Sequence, residues 1–194
     1  MGLLDIVDKE DNIIGEAEFM EAHEKGLRHR SVQVFVFKSL DYKKFNRQYE
    51  MMENSELLVA QLSRNRKAAA LKLGPSVGGH VKKGQSYLDA AIEELKEELF
   101  YEIEYPTGIE LGKVGDFIND SDDGWKKNRE NSALYATYYE GPFSPDPKET
   151  EKIFWQPSWE IYEDMKRHPD KYTSTFVKAM DTYLFAYDGN RNNN

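Results

Sequence analysis

The chain has no cysteine in its 194 residues. That absence excludes disulfide staples, thiolate nucleophiles and zinc–thiolate centres together, and it fits a reducing compartment. Basic residues are also scarce: 26 Lys and Arg stand against 35 Asp and Glu, a net charge of −9. A general nucleic-acid binder carries a basic face, and a peripheral membrane protein a polybasic patch. Neither a nucleic-acid polymer nor a membrane is therefore expected as partner. No stretch approaches the roughly 20 apolar residues of a membrane span. The start, Met1-Gly2-Leu3-Leu4-Asp5, lacks the basic and apolar regions of a secretory leader, and Ile6 stands where a myristoylation motif wants Ser or Thr. The expectation is a soluble cytoplasmic protein. What is present is a 39% hydrophobic and 13% aromatic share, enough for a core, in a length that suits one domain.

Short strands are expected at 3–8 and 12–18, a helix at 19–25 stopped by Gly26, and a strand at 31–38, whose SVQVFVFK is apolar enough to be buried on both faces. Residues 40–56 read as an extended loop or hairpin insertion, 57–62 as the returning strand. Strands follow at 109–118 and 132–140 around a polar loop at 119–131. A proline-rich irregular stretch at 141–148 precedes a last strand at 153–156. Helices are expected at 159–167 and 174–187, parted by His168-Pro169-Asp170, and a frayed polar tail at 189–194. The irregular alternation of strands and helices favours a mixed α+β or α/β layered domain.

The chemistry concentrates at Gly78-Gly79-His80-Val81-Lys82-Lys83-Gly84-Gln85, a glycine-hinged loop that runs into a helix beginning near Ser86. Ser86 with Asp89 three positions on forms a capping-box pattern. Leu88, Ala91, Ile92, Leu95 and Leu99 recur at helical spacing as a core-facing stripe; Glu94 and Glu98 border it and Glu97 lies further out. Three carboxylates at i, i+3 and i+4 repel one another and call for a cation. A hard divalent ion such as Mg²⁺ takes carboxylate oxygens together with water and substrate phosphate. Without the glycine loop, a solvated acidic face would be the favoured explanation of the glutamates.

Gly79, five residues, Gln85, seven residues, then Glu93-Glu94-Leu95-Lys96-Glu97-Glu98-Leu99-Phe100-Tyr101 resembles the Nudix box, G-x5-E-x7-R-E-U-x-E-E-x-G-U with U apolar. Gly79, Glu94, Leu95, Glu97 and Glu98 match. Gln85, Glu93 and Phe100 replace a Glu, an Arg and a Gly. The first two of those form a salt bridge in the family; both partners have changed here, and a Gln85–Glu93 hydrogen bond is expected in its place. Leu4-Asp5-Ile6-Val7-Asp8, Gly15, residues 22–30 and strand 32–37 resemble the isopentenyl-diphosphate-isomerase-like branch. The resemblance implies the α+β Nudix fold, a mixed β-sheet sandwiched between α-helices. It implies one domain over 1–194, with a C-terminal helical segment at about 158–187.

It also implies Mg²⁺ or Mn²⁺ held by Gly79, through its carbonyl, with Glu94, Glu97 and Glu98, and by Glu130 as a distal ligand or base. Glu94 and Glu98 are the catalytic candidates, with Glu94 preferred as base. Arg66, Lys67 and His80 are the substrate-binding candidates. His23, His29 and His80 correspond to isomerase metal ligands but are read as loop or hydrogen-bonding residues, His80 being the best placed. The isomerase carries a catalytic Cys where Gly78 stands and a second acidic residue where Ser132 stands, which disfavours isomerisation. The reading is a metal-dependent hydrolase that cleaves the pyrophosphate bond of a small nucleoside diphosphate derivative or related metabolite. A catalytically weak or silent binding domain is the alternative. Trp125, Tyr135, Tyr138 and Tyr139 can stack on a base, though strand alternation explains Tyr138 as core. The C-terminal helices serve packing, with a lid or a homodimer surface left open.

Overall fold

The computed structural model describes residues 2–38 and 55–188. Most of the expected 40–56 loop, and the 189–194 tail, lie outside the described residues. The order is β1 (Leu3–Val7), β2 (Ile13–Glu18), α1 (Phe19–Lys25), β3 (His29–Phe37), β4 (Glu56–Leu62), β5 (Leu73–Gly74) and β6 (Val77–His80). It continues with α2 (Tyr87–Leu99), β7 (Gly112–Asp123), β8 (Lys126–Tyr138), β9 (Thr150–Pro157), α3 (Ser158–Arg167), a 3₁₀ turn (Pro169–Lys171) and α4 (Ser174–Asp188). No helix among the described residues is long and apolar enough to cross a membrane.

All strands join one sheet around β3, which pairs antiparallel with β6 and parallel with β8. Because strand side chains alternate, β3 serves two layers. Val32, Val34 and Val36 pack with Leu58, Ala133, Tyr135 and the Ala91, Leu95 and Leu99 face of α2. Phe35 and Phe37 pack with Leu57, Val59 and Leu134 against Ile161 and Met165 of α3 and Phe176, Ala179 and Met180 of α4. The result is the expected α+β arrangement, a mixed sheet covered by helices on both faces.

Three expectations change. The glycine loop is a strand over Val77–His80: Val34, Gln33, Val32 and Ser31 of β3 pair with Val77, Gly78, Gly79 and His80. The polar 119–131 segment is the two arms of a hairpin turning at Gly124 (φ +65). Its ladder sets Asn119 opposite Glu130, Asp120 opposite Arg129 and Asp122 opposite Lys127, so polar and charged side chains stabilise the strands. Leu88 is exposed at the start of α2, and Ala90 is buried in its place.

Ser86 caps α2 as expected, accepting from the Asp89 N–H. The other end shows what Phe100 does. The helix closes there without a left-handed residue, at φ −125. The Phe100 ring is buried among Tyr105, Tyr139 and Phe143, with centroids 5.3, 5.5 and 6.1 Å away. The carbonyls of Glu98 and Leu99 accept from Asp146 and Ser144, so the 141–148 segment satisfies groups that a helix end leaves open. Phe100→Ala is expected to cost about 3–5 kcal/mol in urea unfolding; a loss under about 1 kcal/mol would contradict a packing role.

Candidate active site

The sheet face built by Phe35 and Phe37 becomes polar toward the start of β3. Ser31 and Gln33 share that face, joined by Gly78 and His80 of β6 and by Glu130 and Ser132 of β8 through the register pairs His29–Glu130, Ser31–Ser132 and Ser31–His80. Ser31, Gln33, Gly78, His80 and Glu130 line a cleft with Glu98, Arg66 and the Thr173–Thr175 segment. Its two walls differ in chemistry.

One wall is where α2 meets β6. A Cβ on Gly79 would lie 2.0 Å from the Glu94 carboxyl carbon. Only a glycine lets this carboxylate lie flat against the strand. Gly78 is also crowded: its Cβ would meet Gln33 Oε1 at 2.5 Å, so a larger residue there requires the Gln33 side chain to move. Burial, then the Glu97 charge, pushes Glu94 up to about 7. Burial, then Glu94, raises Glu98 well above the usual carboxylate range, opposed by Arg66 and by the nearby Gly78 N–H. Glu97 is exposed one turn away. Such carboxylates, crowded and half-buried, suit an added divalent cation.

The bracing of this wall is rebuilt rather than lost. Gln85 Nε2 donates to Glu93 at 2.7 Å, the hydrogen bond expected from the sequence. Gln85 Oε1 accepts from the Lys82 N–H at 3.0 Å, and Lys82 Nζ ion-pairs with Glu93 at 2.8 Å. The cation has moved from the helix to the loop.

The other wall, at His80 and Glu130, is backed by two buried histidines, and sequence reasoning discounted all three. His23 lies on α1, His29 opens β3 and His80 closes β6, and their ligating nitrogens all lie within 4.8 Å of one another. His23 Nε2 and His80 Nε2 are 3.2 Å apart. His29 Nδ1 donates to the Leu27 carbonyl at 2.8 Å, which leaves its Nε2 a lone pair, buried and without a hydrogen-bond partner among the described residues. A histidine that ligates a metal characteristically donates its other N–H to a backbone carbonyl in this way. Burial, then the nearby Lys126, holds His23 down at about 3; burial likewise lowers His80 to about 4, so both rings are neutral donors. Glu130 Oε1 lies 3.6 Å from His80 Nε2 and 3.9 Å from His29 Nε2. Burial would raise Glu130, but contact with His80, helped by Lys126 and His29, outweighs it and keeps Glu130 ionised, at about 2. Glu130 thus belongs to the histidine wall rather than beside Glu94. No local pattern in the sequence marks this: His29 and Glu130 sit opposite each other only through the register of a parallel pair.

Other expected residues divide. Arg66 lines the cleft and pairs with Glu149 at 2.8 Å. Lys67 points to an adjoining cavity. Ser132 spends its hydroxyl on Ser31, 2.6 Å away. Tyr138, expected in the core, is exposed, its ring lying beside Phe37. Asn119, unnoticed in the sequence, is buried and donates to Glu130 Oε2 at 2.7 Å and to Thr175 Oγ1 at 3.0 Å, tying Glu130 to α4. Asn119→Ala is expected to cost about 1–3 kcal/mol in urea unfolding, and Asn119→Asp more, since it sets two carboxylates face to face. Wild-type stability in both variants would contradict this.

The family model of the NUDIX domain matches residues 49–176. An uncharacterized Nudix hydrolase of Yersinia pestis is 25% identical over 181 residues, 93% of this chain and 85% of that protein. An isopentenyl-diphosphate Delta-isomerase of Serratia proteamaculans is 26% identical over 179 residues, 92% and 89% of the two chains. A crystal structure from Deinococcus radiodurans superposes with a TM-score of 0.63 at 16% identity, covering 85% of this chain and 89% of that one. The chain belongs to the NUDIX family, and its fold is the Nudix fold.

Proposed function

We propose that this protein is a metal-dependent pyrophosphohydrolase, acting as a single Nudix domain on a small nucleoside diphosphate derivative or related metabolite. The observation that carries the reading is the contact between the Glu94 carboxylate and Gly79, which only a glycine permits. Glu94, Glu97, Glu98 and the Gly79 carbonyl would hold Mg²⁺ or Mn²⁺, an oxygen set that suits hard ions. The nitrogen-rich group of His23, His29, His80 and Glu130 would hold a second, softer-seeking ion such as Mn²⁺ or Zn²⁺, and the unpartnered His29 Nε2 supports it. Bound there, divalent ions neutralise phosphate oxygens and make water a better nucleophile.

The chain's own residues do the rest. Arg66 and His80 orient the diphosphate in the cleft. Glu94, the preferred base, takes a proton from the attacking water, with Glu98 beside it as the second carboxylate. A new P–O bond to water forms as the bridging P–O bond breaks, and the displaced phosphate leaves with its electron pair. Isomerisation is disfavoured because Gly78 and Ser132 offer neither the thiol nor the second carboxylate that protonating and deprotonating an alkene would need.

The test is a hydrolysis screen over nucleoside diphosphate derivatives, dinucleotides and prenyl diphosphates, with and without Mg²⁺ or Mn²⁺. Turnover is expected only with metal, and Glu98→Gln and Glu97→Gln are expected to lower it by about 100-fold or more while circular dichroism stays unchanged. Gly79→Ala should act alike, because its methyl displaces Glu94 and the flexible carboxylate gives way before the strand does. Equal rates in wild type and variants would contradict the mechanism. No turnover of any substrate, with binding retained, would favour a silent binding domain.

A further inference from the structure

A polar network lies on the far side of the sheet from the cleft, where β3 and β8 run out of apolar side chains. Strand neighbours alternate faces. Arg30 follows His29, Asn131 follows Glu130, and Arg30 and Asn131 are register partners. On that face they take the places that Val32 and Ala133 fill one pleat further on, in the core beneath α2. Hydrogen bonds rather than packing therefore set where these parts of the two strands sit.

The bonds converge on one atom. Asp11 Oδ1 accepts from Arg30 Nε at 2.9 Å, from the Tyr87 hydroxyl at 3.0 Å and from Asn131 Nδ2 at 3.2 Å. The Asp11 carbonyl accepts from Arg30 Nη2 at 2.7 Å, and Asn131 Nδ2 also reaches the Asp8 carbonyl at 2.9 Å. The Arg30 guanidinium stands 5.6 Å from the centre of the Tyr87 ring. Burial works against the Asp11 charge, but Arg30, Asn131 and Tyr87 outweigh it and hold the carboxyl below the usual range. Asp11 meets these donors from a backbone φ of +69. Few residues other than glycine, asparagine and aspartate adopt that left-handed conformation. Such strain persists only where the surroundings hold it.

Each donor is adjacent to something the site needs. Arg30 and Asn131 stand next to His29 and Glu130 in the chain. The Arg30 carbonyl accepts the Val81 N–H at 3.0 Å, beside His80. Tyr87 is the first residue of α2, the helix that carries Glu94 and Glu98. Asp11 itself lines a separate cavity with Tyr87 and Asn131. We propose that Asp11 is a positioning residue: it ties Arg30, Asn131 and Tyr87 to one point, and so sets the histidine wall, through His29 and Glu130, at its working distance from the carboxylate helix. The proposal rests on the reading of His23, His29, His80 and Glu130 as a metal site.

The test is titration of the full chain with Co²⁺, read by its visible absorption, which reports the donors and geometry around the ion. Asp11→Ala is expected to weaken binding at the histidine wall by about tenfold or more and to change the spectrum of the bound ion. Asp11→Asn tolerates the same backbone conformation and keeps an acceptor oxygen, so it should restore most of the affinity. Ile161→Ala, in the core layer of α3, is the control for stability alone: it should unfold at lower urea yet bind Co²⁺ with the wild-type spectrum. If Asp11→Ala does not fold, Tyr87→Phe, which deletes only the hydroxyl, should shift the spectrum in the same direction. Wild-type affinity and spectrum in Asp11→Ala, or in Tyr87→Phe where the first variant does not fold, would overturn the proposal. Equal changes in Ile161→Ala would overturn it too. A wild type that takes up no Co²⁺ would overturn the metal site and the proposal with it; the wild type alone reveals that failure, so the two are distinguishable.

Discussion

The close approach of α2 to the Gly78-Gly79 strand governs the rest of this structure. Side chains normally keep a helix well away from a strand's backbone, but here the Glu94 carboxylate occupies the space of the missing Gly79 side chain. The same approach sets Glu98 near the Gly78 N–H, which opposes the rise of its carboxyl. It comes with buried like charge: both carboxylates are desolvated, Glu97 further raises Glu94, and Glu94 in turn raises Glu98. Packing holds them there, since Ala91, Leu95 and Leu99 on the same helix are locked into the sheet. A site held in an unfavourable charge state by its scaffold is well suited to binding the ion that relieves it.

The opposite wall follows a different logic. Three neutral imidazoles and one ionised carboxylate come from α1, β3, β6 and β8, elements brought together by β3 at the centre of the sheet. Its supports are long-range. Leu27 fixes the His29 tautomer, and Asn119 links Glu130 to Thr175 at the start of α4. The C-terminal helix therefore reaches the site through a hydrogen bond as well as closing the core.

How much of this was legible follows from the range of each interaction. The box residues were readable because spacing along one helix determines which of them share a face. Gln85 and Glu93, eight apart, were near enough for their hydrogen bond to be expected. The role of Lys82 as replacement cation was missed, because a family pattern assigns the charge to the helix. The outer part of the β7–β8 hairpin, 119–131, was read as a loop because its ladder is built from Asn, Asp, Ser, Lys and Arg rather than from alternating apolar residues. The histidine wall depended on strand register, which local sequence does not carry: residues 23, 29, 80 and 130 meet only once β6 and β8 flank β3. The exposure of Leu88 reflects its place in the first turn of α2, beyond the reach of the sheet.

The central claim is that the two walls of one cleft hydrolyse an anhydride bond between phosphates. Phosphorus NMR of the metal-loaded reaction in ¹⁸O-water tests it most directly. The account predicts metal-dependent cleavage of a nucleoside diphosphate derivative, with one ¹⁸O incorporated into a product phosphate. An intact diphosphate after full incubation, with deuterium exchange into the carbon skeleton of a prenyl diphosphate, would contradict it.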